Sequence, residues 1–356
     1  MDIGILGLPY VGKTTIFNLL TNGNESGFSK HKSEKRIVKV HDERVSKLSE
    51  IYKPKKTTYA TINFIDIPGL DPSASSKEKN EIYMEIQNAD ALLLVVRTFR
   101  DDAVLMEEKY SSPISQLEAL KYEMLFRDME ICETRINRII QKKNKASKEE
   151  LKQMELIKTI KSKLEDDLMI YQMGLTDEEA KEMASFSFFT SKPVIVAFNV
   201  DEDQLNSNFD GEDKALEFCK TNNFAHLKIC GKMEMEIGQL GEDDRIEFLK
   251  DLGLKETGIQ RLTKVVYDHV GLISFFTVGE DEVRAWTIKK GTTMKKAAGK
   301  IHSDLERGFI RAEVVNYEDF IKLGSMKAVR DSGLLRLEGK DTIVRDGDIL
   351  NIRFNV

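Results

Sequence analysis

The stretch Gly7-Leu8-Pro9-Tyr10-Val11-Gly12-Lys13-Thr14 has the spacing Gly-x4-Gly-Lys-Thr, and its flanks decide the fold. Before it, Ile3-Gly4-Ile5-Leu6 reads as a buried strand, and after it residues 14–20 read as the start of a helix. Strand, loop and helix in that order are the context that a phosphate-binding loop requires. Backbone N–H groups of a Gly-rich turn and of a helix N-terminus surround an anion, so a nucleoside triphosphate is the expected ligand. Pro9, Tyr10, Val11, Gly12, Lys13, Thr14 and Thr15 are the candidate contacts to it. Lys13 is placed to stabilise the β and γ oxygens, and the Thr14 hydroxyl to ligate Mg2+.

A second acidic motif, Asp66-Ile67-Pro68-Gly69, follows the strand-like residues 61–65. Alone it is a weak signal. After a phosphate loop it makes Asp66 a candidate Mg2+ ligand and puts Gly69 near the γ-phosphate. The next residue is Leu70, where Ras-like enzymes carry the Gln that orients the attacking water. An aliphatic side chain cannot do that, so hydrolysis is expected to be slow or to use another group; no catalytic base is named.

Base choice rests on Asn199-Val200-Asp201-Glu202, at the end of the apolar run Pro193-Val194-Ile195-Val196-Ala197-Phe198. A guanine-specific protein carries Asn-Lys-x-Asp there. The Asn amide serves N7 of either purine, but guanine also needs a carboxylate placed to accept N1–H and the exocyclic amine. Val200 replaces the Lys that packs on the base, and Glu202 is one methylene longer than Asp. ATP is therefore expected over GTP, with a GTPase of variant base motif as the alternative. Cys230-Gly231-Lys232, after the strand-like residues 225–229, fits a third loop on the base side.

Strand and helix signals alternate through the first hundred residues and resume at residue 193, which indicates a parallel α/β sheet. Between them Tyr122, Leu125, Met129, Cys132, Ile136 and Ile139 recur at spacings of three and four, a heptad seam. Ser147-Lys148-Glu149-Glu150 is a capping box that opens a partner helix with Met154, Ile157, Ile160, Leu164 and Leu168. An antiparallel hairpin over 113–168 follows, with charged outer faces that suit a projecting arm. The expected division is a nucleotide-binding domain of residues 1–112 and 190–271, a helical insertion of 113–189, and a small α+β domain of 272–356. The last begins with alternating Ile273, Phe275 and Thr277 and ends in the turn Asp346-Gly347 and a strand.

The 356 residues carry a formal net charge of −6 and are 41% hydrophobic, so folding into more than one globular domain is expected and bulk charge does not call for nucleic acid. DNA is not an expected partner. Lys289, Lys290, Lys295, Lys296 and Lys300 form a local basic cluster that could meet ribosomal RNA. Three scattered cysteines suggest neither zinc nor disulfides. The N-terminus lacks a signal core, and the longest apolar run, 91–96, is too short to span a bilayer. A cytoplasmic protein is expected.

Several further stretches stand beside these motifs: Phe248-Leu249-Lys250-Asp251-Leu252-Gly253-Leu254, Arg284-Ala285-Trp286-Thr287-Ile288-Lys289-Lys290-Gly291-Thr292, Glu306-Arg307-Gly308-Phe309-Ile310-Arg311-Ala312-Glu313-Val314, Arg336-Leu337-Glu338-Gly339-Lys340-Asp341 and Arg353-Phe354-Asn355-Val356. With the phosphate loop and Asn199-Val200-Asp201-Glu202, they resemble the YchF family, the Obg-like ATPases, over essentially the whole chain. The resemblance implies a Ras-like P-loop domain with an inserted coiled-coil arm and a C-terminal TGS domain of β-grasp type. It also implies ATP-preferring hydrolysis with a hydrophobic residue in place of the catalytic Gln, and association with ribosomes.

Three departures limit what carries over. Tyr10 stands where the family has an Asn that in relatives helps hold a monovalent cation, so potassium stimulation is not expected. Lys30, within Gly27-Phe28-Ser29-Lys30-His31-Lys32, aligns near a family Thr of the first switch. Asp71-Pro72-Ser73-Ala74-Ser75-Ser76-Lys77-Glu78-Lys79 replaces a Gly-rich second switch. A slow ATPase switch acting on translation is the leading expectation. A nucleotide-gated binding protein with negligible turnover is the alternative; a metabolic kinase lacks a visible second substrate motif.

Overall fold

The computed structural model describes residues 1–20, 34–67, 76–101, 106–142 and 145–355. Its twelve strands among these residues are β1 (Asp2–Leu6), β2 (Glu34–Lys39), β3 (Lys56–Thr58), β4 (Thr61–Asp66), β5 (Ala91–Arg97), β6 (Val194–Asn199), β7 (Ala225–Ile229), β8 (Leu272–Thr277), β9 (Glu282–Lys289), β10 (Phe309–Asn316), β11 (Arg336–Glu338) and β12 (Asp348–Phe354). They form two sheets, in the orders β2-β4-β1-β5-β6-β7 and β11-β10-β12-β8-β9-β3. The chain divides into two compact units, one of Met1–Ile37 with Asn63–Val265 and one of Val38–Ile62 with Val266–Val356.

In the first unit β4, β1, β5, β6 and β7 run parallel. Every residue of β5 and β6 is buried, as strands covered by helices on both faces require. Because the strands are parallel, their carboxyl ends share one edge, where open α/β sheets bind ligands. The loop of residues 7–12 leaves that edge from β1, in the middle of the sheet.

Two long helices follow β5. Pro113–Gln141 starts with Pro at its first turn and with the Ser112 side chain accepting the Ser115 N–H. Lys148–Glu165 starts with the full Ser147/Glu150 capping box. They run antiparallel: Arg135 Nε donates to Gln153 at 2.8 Å, Lys142 meets Glu150 at 2.5 Å and Lys161 meets Glu133 at 3.1 Å. The buried stripe differs from the expected seam. Leu125, Cys132 and Ile139 are buried, but Tyr122 is 58% exposed, and its place in the stripe is taken by Lys121. The reason lies in the first half of the helix, which packs on its own domain. Gln116 exchanges two hydrogen bonds with the Arg97 backbone at 2.9 Å, and the buried Asp128 carboxylate accepts the Phe189 and Thr190 N–H groups at 2.9 and 2.8 Å. That half is part of the core, not a projecting arm.

The second unit is an α+β layer around Phe275, Met294, Ala297, Ala312, Val314 and Leu350. Ile273 and Phe275 are buried as the alternation predicts, yet so are the alternate residues Ser274 and Phe276, because this sheet face is covered as well. Part of the cover is the segment 38–62, which the sequence reading counts with the N-terminal residues. Its helix Glu43–Tyr52 stacks Tyr52 on Phe320 at 5.7 Å, and Arg44 lies over Phe276 at 5.1 Å while pairing with Asp346 at 2.7 Å. Its strand β3 pairs in parallel with β9, and the Thr58 hydroxyl donates to Glu282 at 2.6 Å. The Asp346-Gly347 turn before β12 is as expected, with Gly347 at φ +83°.

Candidate functional site

The loop of residues 7–12 is shaped by what surrounds it. A Cβ on Gly7 would lie 2.7 Å from the Val95 carbonyl, so β5 tolerates no side chain there. Gly12 caps the helix Lys13–Leu19 at φ +90°, and a Cβ on it would lie 2.3 Å from Asn199 Nδ2. Tyr10 also has positive φ, +64°, with a side chain 70% exposed. Asn tolerates that left-handed conformation better than an aromatic residue, so Tyr10 holds the loop at a cost in strain. Pro9 is half-buried and Val11 is in the core.

Lys13 is only 8% exposed, with its Nζ donating to the Gly7 and Leu8 carbonyls at 3.2 and 3.1 Å. Burial pushes it down to about 8, against the pull of Asp66. Asp66 is in turn raised above its ordinary range by burial, with Lys13 and the Thr14 hydroxyl, which donates to its carboxylate, opposing and Glu34 adding to the rise. The predicted phosphate and magnesium groups therefore come together: an ammonium, a hydroxyl and a carboxylate at the start of a helix. Hydroxyl and carboxylate are hard oxygen donors of the kind Mg2+ takes, alongside phosphate oxygens. Gly69 and Leu70 lie outside the described residues, as do residues 27–32 and 71–75 of the two switch stretches; residues 76–79 open the helix Ser76–Gln87.

On the base side Asn199 is buried and spoken for on two sides. Its Nδ2 donates to the Val11 carbonyl at 3.0 Å, and its Oδ1 accepts the Gly231 N–H at 3.1 Å. One amide thus ties the phosphate loop to the loop after β7, a role the sequence reading did not give it. Gly231 is needed beside it, since a Cβ there would meet Asn199 Oδ1 at 3.2 Å and Thr15 Cγ2 at 3.3 Å. Val200 is 2% exposed, a core residue. Glu202 and Lys232 are exposed, whereas Cys230 is buried and its thiol is raised by burial, with Glu202 and Asp201 adding to the rise. The Asp201 carboxylate accepts the Arg100 N–H at 3.0 Å, which commits it to the turn after β5.

That turn is what the sequence reading missed. The Phe99 N–H and the Thr98 hydroxyl donate to the Asn199 carbonyl at 3.1 and 3.0 Å. The Phe99 ring would lie 3.8 Å from a Cβ on Gly12, and the Arg97 guanidinium stacks on it at 4.5 Å. Phe99 thus flanks the phosphate loop on the base side. No motif spacing marks it; its only sequence signal is its position just past a buried strand.

Against known proteins, the family model YchF-GTPase_C, described as a protein of unknown function, matches residues 272–355, and a model described as 50S ribosome-binding GTPase matches residues 2–132. Proteins called ribosome-binding ATPase YchF are similar from end to end. The one from Bacillus subtilis is 38% identical, with all of both chains covered. Those from Haemophilus influenzae and Escherichia coli O157:H7 are 37% and 36% identical, with 99% of each chain covered. The solved structure of the Schizosaccharomyces pombe YchF GTPase superposes with a TM-score of 0.87 at 29% identity, over 99% of this chain and 97% of that one.

Proposed function

The chain belongs to the YchF family, and from that premise we propose that it is a ribosome-associated P-loop ATPase that binds ATP with Mg2+ and hydrolyses it slowly in a cytoplasmic setting. The observation that carries this reading is the buried Lys13 beside the Thr14–Asp66 pair, at the N-terminus of a helix with no side-chain cap. Lys13 would stabilise the β and γ oxygens, Thr14 and Asp66 would hold Mg2+, and the loop N–H groups through Thr15 would cradle the phosphates. When bound, Mg2+ would supply positive charge to offset that of the phosphates. Asn199, Val200, Glu202, Cys230, Gly231 and Lys232 form the base side. Turnover is slow because Leu70 has no group to orient water.

ATP is favoured over GTP because the buried Val200 stands where guanine-specific proteins place the Lys that packs on the base. Glu202 is exposed and longer than the Asp that guanine recognition uses. Titration with ATP and GTP in Mg2+ tests this, with tighter ATP binding expected. Tighter GTP binding would instead favour the GTPase reading, to which the Schizosaccharomyces pombe protein's own name points.

The two long helices form a coiled-coil arm at their far ends, within an insertion spanning 113–189, and residues 272–356 form a TGS domain. Both serve as contacts to the ribosome. In the second unit the five lysines of the 289–300 cluster are exposed, though Lys296 pairs with Glu306 at 2.7 Å.

A further inference from the structure

Two aromatic side chains stand in the open on the first half of the helix Pro113–Gln141. Tyr122 is 58% exposed and Phe126 57%. Four residues apart, they lie one above the other on one helix face. Beside them is a groove of about 570 Å³ whose floor includes the buried Leu125 and Leu164. Exposed aromatics beside an apolar floor are the composition of a protein-binding patch, not of an ordinary solvated helix face.

The rim has a definite sign. Among the described residues, the charged side chains that line it are Glu123, Glu165 and Asp167, all acidic. Each carboxylate already has a partner: the Tyr83 hydroxyl donates to Glu123, Lys161 meets Glu165 at 2.8 Å, and Lys121 meets Asp167 at 2.9 Å. Even so, the side chains of Glu165 and Asp167 are 53% and 51% exposed, and the neighbouring Asp166 is exposed too. With Lys161 and Lys121 set against Glu123, Glu165, Asp166 and Asp167, the rim keeps an acidic excess, which favours cations over phosphate backbones.

We propose that this groove docks a lysine- or arginine-rich protein segment that buries a bulky apolar side chain between Tyr122 and Phe126. The apolar anchor covers Leu125 and Leu164, and the basic side chains meet the rim carboxylates. The nucleotide site takes no part, and the groove is independent of the ribosome reading above.

The test is fluorescence anisotropy with a short fluorescein-labelled peptide of Lys, Leu and Phe, against the same peptide with Glu for Lys. The wild type is expected to bind the Lys peptide only. Tyr122→Ala with Phe126→Ala is expected to weaken binding at least about tenfold. Glu165→Lys, which leaves the apolar floor intact, is expected to weaken it in a salt-dependent way. ATP titration and thermal unfolding of both variants verify that they are folded. Wild-type binding of neither peptide, equal binding of both, or full binding by the aromatic double variant would overturn the proposal. Direct binding of a labelled RNA oligonucleotide that the aromatic double variant abolishes would overturn it in favour of nucleic acid.

Discussion

Burial strips water from the Lys13 ammonium while Asp66 offers it a counter-charge; burial wins, and the group rests at about 8. A triphosphate supplies the missing negative charge, so the bound lysine holds its proton more tightly than the free one. ATP affinity is therefore expected to be flat below pH 8 and to fall by up to about tenfold per unit above it. Affinity that holds through pH 9 would contradict this. Lys13→Ala removes the charge and is expected to cost about 2–5 kcal/mol of binding, with the fold retained; isothermal titration checks both. At this scale the phosphate side was legible, because a motif fixes Gly12, Lys13 and Thr14 by spacing. The base side was legible in part. Asn199 stood out, but its bridge from Val11 to Gly231 depends on two loops far apart in sequence. Phe99 and Arg97 were not, since only folding brings Phe99 beside Gly12 and Arg97 onto its ring.

Beside the Gln116 bonds to β5, the Asp128 contact couples the helical insertion to its domain. This carboxylate accepts the Phe189 and Thr190 N–H groups and the Thr190 hydroxyl, with Lys192 nearby, in the stretch that leads into β6 and Asn199. Asp128→Asn keeps the shape but turns an N–H2 toward a donor. It is expected to destabilise the protein by about 1–3 kcal/mol in chemical unfolding; an unchanged midpoint would contradict the role. Burial raises Asp128 from 3.8 to about 6. Because the folded value is the higher one, its favourable contribution is full below pH 3.8 and is lost as the pH rises through 6. The Asn variant lacks that dependence. Helix starts were well marked in the sequence, by Pro113 and by the Ser147 capping box. The seam was misread by one position at Tyr122, since a heptad reading assumes one partner helix and this helix has two, its neighbour and its own domain.

At the scale of the whole molecule, the parallel sheet was legible because its strands are continuous apolar runs. The membership of residues 38–62 in the second unit was not: β3 is three polar residues, and its pairing partner β9 lies more than two hundred residues away in sequence. A fragment of residues 272–356 lacks that segment and leaves Phe276 and Phe320 without part of their cover. It is expected to unfold at lower temperature than the same unit in the full chain, or to aggregate; a cooperative melt at the full-length temperature would contradict this. No helix among the described residues is long and apolar enough to cross a membrane. The central functional claim is tested most directly by single-turnover ATP hydrolysis with and without ribosomes. The expected result is slow hydrolysis that ribosomes accelerate. Unaided turnover in the range of about 1–100 s⁻¹, typical of dedicated kinases, would contradict it, as would no hydrolysis under either condition.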